Sequence, residues 1–227
     1  MILMILLVCT MLAGCGTGET GRTQETSDSK TGTGAAALEY GETGGNGGEE
    51  KQMRVAFFWI STGLDPAVDY DGWLLSRLGA GESLLRLNDS LEIEGAIADT
   101  WKNEDALTWS FHIRDGLLFS DGTAVDAQAV KASLERSIQL NDRAAEYLMV
   151  DEILAEGQDL TIKTTEPNAA LANNIVEPVF NIIRTDMTDE EISACPVATG
   201  PYKIEAFAPE QSVTLFPNTC YRDGEPG

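Results

Sequence analysis

The sequence predicts an α/β domain built around a mixed sheet, and three observations carry that expectation. Leu107–Arg114 (LTWSFHIR) alternates apolar and polar residues with a period of two, the pattern of a half-buried strand. Asp126–Leu140 (DAQAVKASLERSIQL) repeats Val130, Leu134 and Ile138 at helical spacing. The remaining strand-like and helix-like runs are interleaved without a regular βαβ repeat or an internal duplication.

In chain order, Arg54–Ile60 (RVAFFWI) is rich in β-forming residues and reads as a buried strand. It runs into Ser61–Pro66, where Pro66 disfavours helix at Asp65 and forces a turn. Trp73–Leu78 and Glu82–Leu87 read as two short helices interrupted by Gly79-Ala80-Gly81. In Leu107–Arg114, Leu107, Trp109, Phe111 and Ile113 face inward, and Ser110, His112 and Arg114 outward. Asp115-Gly116 and Asp121-Gly122 bracket Leu117–Phe119 as tight turns. Asp126 is an N-cap for the helix ending at Leu140, with Lys131 and Glu135 spaced as an i,i+4 pair. A shorter helix follows around Arg143–Met149, then a strand pair, Val150–Ala155 and Leu160–Thr164, joined by Glu156–Asp159. Thr188 and Glu191 match a capping box opening one more short helix. Tyr202–Phe207 and Val213–Phe216 form a hairpin.

Composition narrows the function. With 15 Lys+Arg against 37 Asp+Glu in 227 residues, the net charge is −22. That excludes a sequence-independent grip on nucleic acid and a polybasic attachment to anionic lipid, both of which need a basic footprint. Residues 1–14 (MILMILLVCTMLAG) form an apolar run too short to span a bilayer and suited to an export signal. Leu12-Ala13-Gly14-Cys15 resembles a bacterial lipobox, which implies cleavage before Cys15 and its lipidation. Residues 15–52 are rich in Gly, Thr, Ser and Glu and read as a flexible tether, leaving residues 53–227 as the folded part. The expected location is therefore extracytoplasmic, held at a bacterial membrane by an N-terminal lipid. Cys195 and Cys220 flank the predicted hairpin; export permits a disulfide between them, with two free thiols as the alternative.

Catalytic chemistry is not legible. The single histidine, His112, sits on the polar side of its strand, so no Ser-His-Asp set is available. The glycine-rich stretch at 41–50 lacks the Lys-Ser/Thr of a phosphate loop. Asp99, Glu104, Asp105 and Asp115 lack calcium-loop spacing, and Cys195 and Cys220 have no further ligand nearby. No catalytic residue, metal ligand or cofactor is assigned.

Several segments in order resemble the extracellular solute-binding proteins of family 5, the peptide- and nickel-type receptors of ABC importers. They are Leu64-Asp65-Pro66-Ala67, Gly81–Leu87 (GESLLRL), Ile97–Trp101 (IADTW) and Trp109–Gly116 (WSFHIRDG) with Phe119–Thr123 (FSDGT). Leu134-Glu135-Arg136, Thr199–Tyr202 (TGPY) and Asn218–Tyr221 follow. The match covers roughly Arg54 to Pro226. Gly79–Leu87 and Val130–Asn141 lie nearer to nickel- and metallophore-type members. The resemblance implies a lobe of a type II periplasmic-binding-protein fold. Because family members are two-lobed and more than twice this long, it implies that the second lobe is missing here.

It also implies binding without chemistry: capture of a metal chelate or short peptide and delivery to the permease subunits of an ABC transporter. The candidate ligand residues are Tyr70 and Trp73 after the first strand, Glu82 for a ligand amine, and Arg143 and Tyr147 beyond the long helix. Arg143 falls where the resemblance places a ligand-contacting arginine, allowing one inserted residue, and its guanidinium suits the carboxylates of a chelator. A surface-attached enzyme and a single-lobe interaction module are the other classes open at this point.

Overall fold

The computed structural model describes residues 61–224 and 226. The export signal at 1–14, Cys15, the tether at 15–52 and the strand at Arg54–Ile60 lie outside the described residues.

The elements are α1 (Asp71–Arg77), β1 (Leu85–Leu87), β2 (Ile93–Gly95), β3 (Ala98–Asn103), β4 (Thr108–Ile113), α2 (Ala127–Leu140), α3 (Asp142–Leu148), β5 (Val150–Glu156), β6 (Asp159–Thr164), α4 (Leu171–Asn174), α5 (Asp189–Ala194), β7 (Tyr202–Ala208) and β8 (Ser212–Pro217). A 3-10 turn occupies Pro178–Phe180. Three antiparallel sheets result: the pair β1-β2, a four-stranded sheet in the order β3-β4-β6-β5, and the hairpin β7-β8. The parallel pairing that a mixed sheet requires is not found among the described strands.

The four-stranded sheet is organised by β4, whose residues alternate between partly exposed and buried along its length. Trp109, Phe111 and Ile113 point into the core with Leu160 and Ile162 of β6 and Ile153 of β5. Leu107 lies just outside the strand and is exposed, because the pairing with β6 begins at Thr108. Across this apolar face runs α2, which buries Val130 and Leu134 completely. Asp126 caps it by accepting the Ala129 N–H at 2.8 Å, and Lys131 and Glu135 meet on its wetter side at 3.7 Å. Both Asp-Gly turns form, with Gly116 at φ +73° and Gly122 at φ +86°, a region a Cβ would strain. A second apolar cluster, including Leu64, Leu75, Ile183, Ile192 and Ile204, lies under the β7-β8 hairpin.

The segment Glu82–Leu87 is extended, not helical. The Leu84 carbonyl accepts the N–H groups of Ala96 (3.1 Å) and Ala98 (3.0 Å), and Leu85–Leu87 pair with Ile93–Gly95. These partners are supplied from beyond the segment, so tertiary pairing overrides its local helix propensity. Asn181, 1% exposed, then locks three segments together. Its amide donates to the Gly72 carbonyl (3.1 Å) and Ser76 Oγ (2.9 Å), while its carbonyl accepts from Ser83 Oγ (3.3 Å). At Gly72 a Cβ would fall 2.4 Å from the Pro178 carbonyl oxygen, so glycine lets α1 lie directly on the 3-10 turn.

Cys195 and Cys220 are both free. Cys195 Sγ donates to the Ile204 carbonyl at 3.4 Å, whereas Cys220 lies beyond the hairpin's open end, facing Gly122. Tyr202–Pro217 is the pair at the hairpin's open end; Cys195 reaches past it to Ile204 inside β7 while Cys220 lies beyond Pro217, so the open end does not bring the two thiols together.

Two outcomes test this architecture. Asn181→Ala removes the partner of buried groups on α1 and on the extended run before β1, and should cost about 2–4 kcal/mol in urea unfolding. His112 Nδ1 lies 2.8 Å from Asp159 on the adjacent strand, and that hydrogen bond, with Asp99 and Asp115 nearby, raises the imidazole pKa above 6.5. The pair's stabilisation is complete below the unfolded value of 6.5 and lost as pH rises through the folded value. With one histidine in the chain, an NMR titration reads this directly, and Asp159→Asn should return the midpoint toward 6.5.

Candidate ligand-binding site

The site is built on the turn after Ser61. Leu64 is buried and donates its N–H to the Ser193 carbonyl on α5 at 2.8 Å. Asp65, 2% exposed, holds its own turn through the Ala67 N–H (3.0 Å). Its two oxygens accept from Arg136 Nη1 (2.8 Å) and Nη2 (2.7 Å). Arg136 also donates to Asp189 at 2.6 Å, and these hydrogen bonds, chiefly that to Asp65, hold its proton more tightly than usual. The turn and α2 are thus joined by a bidentate ion pair. Asn141, between α2 and α3, adds a second tie by donating to the Ala67 carbonyl at 3.1 Å.

This pinned turn presents Tyr70, 66% exposed, beside Arg143 in the first turn of α3. The Arg143 guanidinium carbon stands 4.8 Å from the Tyr70 ring centroid. Arg143 Nε is buried without a hydrogen-bond partner, and no carboxylate among the described residues pairs with this arginine. One turn along α1, Trp73 is partly exposed and carries the Arg77 guanidinium at 5.1 Å. Between them Asp71 is half-buried, and desolvation pushes its carboxyl pKa up despite the hydrogen bond from Ser61 Oγ.

The structure brings Tyr70 and Arg143 together, with Trp73 next to them on α1. Tyr147 lies one turn beyond Arg143 and packs against the main core; its backbone carbonyl accepts from Asn168 (3.0 Å) and Asn174 (2.9 Å). Glu82 is elsewhere. Its carboxylate is 11% exposed and closed by Arg222, Nη1 to Oε2 at 2.6 Å and Nη2 to Oε1 at 2.8 Å, with the Tyr221 hydroxyl at 3.5 Å. An internal cation therefore occupies the position that the sequence offers to a ligand amine. A cleft of about 590 Å³ adjoins the Asp65–Arg136 pair, between the turn, the end of α2, α5 and the hairpin, with Leu140 and Phe207 in its wall. Among the described residues no group of three or more His, Cys, Asp or Glu is placed to hold a metal ion.

Sequence reasoning missed Asp65, Arg136 and Asn141 as builders of the site. Each stands in or beside a segment that carries the family resemblance, but the ion pair spans 71 positions and only folding reveals it. Asp65→Ala should cost about 3 kcal/mol in urea unfolding, because it strands a largely buried guanidinium with only Asp189. Combining it with Arg136→Met should recover part of that loss, since an apolar side chain needs no counter-charge.

Comparison with known proteins agrees with this architecture. The model of the bacterial extracellular solute-binding proteins, family 5 Middle, matches residues 92–227. The "Nickel-binding protein NikA" of Staphylococcus aureus is 32% identical over 150 residues, 66% of this chain and 30% of the relative. The "Probable D,D-dipeptide-binding periplasmic protein DdpA" of Escherichia coli is 29% identical over 182 residues, 72% of this chain and 35% of the relative. A crystal structure of NikA from Staphylococcus aureus in complex with Ni(L-His)2 superimposes with a TM-score of 0.69 at 29% identity, covering 74% of this chain and 35% of that one. The chain thus spans about a third of the length of these relatives. With its type II binding-protein-like α/β fold and a family match over more than half its residues, the chain belongs to the bacterial extracellular solute-binding proteins of family 5.

Proposed function

We propose that this chain forms part of the substrate-binding component of an ABC importer, capturing a metal chelate of the nickel type outside the cytoplasm and delivering it to the membrane transporter. The observation that carries the reading is Arg143. In a chain of net charge −22 its guanidinium has no acidic partner among the described residues, its Nε is buried and unpaired, and one face lies against the exposed ring of Tyr70. An unneutralised guanidinium fixed on a ring is ready for an anion, and its planar fork matches a carboxylate through two parallel N–H···O bonds. The Tyr70 ring shields one side of the cation and strengthens that contact. Trp73 extends the aromatic surface toward the apolar part of a ligand.

The metal arrives inside an organic chelate whose carboxylates meet Arg143, and no bond is made or broken in the cargo. The names of the nickel-binding relative and of the Ni(L-His)2 complex support a chelate; the name of the dipeptide-binding relative supports a short peptide, whose terminal carboxylate suits the same guanidinium. A lipid on Cys15 and a tether over residues 15–52 hold the receptor near its permease, raising their effective concentration. Ligand bridging this part to a second lobe favours a closed state that the transporter recognises.

Native mass spectrometry of the protein purified from its source without denaturation should show a bound small molecule whose mass and isotope pattern separate nickel chelate from peptide. In calorimetric titration with Ni(II) and two equivalents of L-histidine, Arg143→Ala should weaken binding about 30-fold or more, the cost of removing a charge-assisted contact. Binding of Ni(II) alone at equal strength, unchanged by Arg143→Ala, would refute the chelate reading.

A further inference from the structure

Asn141 is the C-cap of α2 and the N-cap of α3 at once, in extended backbone at φ −133° and ψ 109°. Its side chain works in two directions. Oδ1 accepts the N–H groups of Arg143 (3.1 Å) and Ala144 (3.3 Å), which fixes the first turn of α3. Nδ2 donates to the Ala67 carbonyl (3.1 Å), three residues before Tyr70. One side chain therefore touches both the element that supplies the guanidinium and the turn that supplies the ring.

Geometry makes that bridge consequential. The turn between Ala67 and Tyr70 contains Asp69 at φ +43°, a conformation an aspartate adopts at some cost and keeps only when its flanks are held. On its upstream side the turn is held by Asp65 on Arg136. Downstream, Asp71 begins α1, which is seated on Asn181 through Gly72. The amide of Asn141 is the side-chain tie that links this turn to the start of α3, and so to Arg143. Asparagine suits this double contact because an acceptor and a donor branch from one carbon. Aspartate and serine both cap helices well, yet aspartate would set an oxygen against the Ala67 carbonyl and serine is too short to reach it.

We infer that Asn141 is a positioning residue, coupling its helix cap to the Ala67 carbonyl so that the Tyr70 ring and the Arg143 guanidinium are held in register as one ligand-facing unit. The inference rests on the binding role proposed for Arg143, but its geometry is testable without ligand. Arg143 Nε–H, buried and unpaired, gives a side-chain resonance in ¹⁵N-labelled protein, assigned by its loss in Arg143→Ala. In Asn141→Asp and Asn141→Ser, which keep the cap, its exchange with solvent should quicken by about tenfold while cooperative thermal unfolding is retained. Affinity for Ni(II) with two equivalents of L-histidine should weaken by about the same factor.

Wild-type exchange and affinity in both variants would overturn the inference. So would a loss in Asn141→Ala that Asn141→Ser fully restores, since the cap alone would then be responsible. If Arg143→Ala leaves the nickel–histidine affinity unchanged while both Asn141 variants still quicken the exchange, the positioning stands and the binding role of Arg143 falls.

Discussion

The bidentate pairing of Asp65 with Arg136 is the constraint on which the site depends. A carboxylate only 2% exposed is costly to bury, and the guanidinium from α2 offsets that cost only when both oxygens are engaged at hydrogen-bonding distance. The geometry allows one placement of the turn on the helix. The loop carrying Tyr70 is therefore not a free surface loop; its path is set at Asp65, and the second tie at Ala67 finishes the adjustment. Because α2 is itself clamped to the four-stranded sheet by Val130 and Leu134, the rigidity of the core is passed outward to the aromatic surface.

The second clamp, Asn181, works with neutral groups. A fully satisfied buried amide holds one arrangement of its partners, since any shift leaves a donor or acceptor unpaired. It joins the start of α1, the extended run before β1 and the segment after the 3-10 turn, and the missing side chain at Gly72 lets those backbones close up. Glu82 and Arg222 form a third junction, where the segment after β8 returns to the same extended run. The arginines of this lobe thus differ in what they meet. Arg136, Arg184 and Arg222 are consumed by carboxylates that hold loops to the core, whereas Arg143 is held without a counter-charge among the described residues.

Much of the fold is legible in the sequence because its signals are local. The alternation at Trp109–Ile113, the Asp126 cap, the Asp-Gly turns and the Thr188/Glu191 capping box each place their determinants within a few residues, and each forms at its expected position. The site is less legible. Tyr70 and Arg143 stand out as residue types near family-like segments, but their stacking depends on ties made across most of the lobe. Glu82 carries the right chemistry for a ligand amine and lies where an internal arginine reaches it first.

By itself the sequence determined the strand and helix periods and the acidic balance, which are written in spacing and composition, and it carried the ordered motifs that resemble the family 5 solute-binding proteins. Only the tertiary structure decided that Glu82–Leu87 is extended, that Cys195 and Cys220 face different neighbours, and that Arg143 meets Tyr70 without a carboxylate beside it. Those outcomes turn on partners outside the local segment, and a hydrogen bond or ion pair acts through distance in space, not separation along the chain.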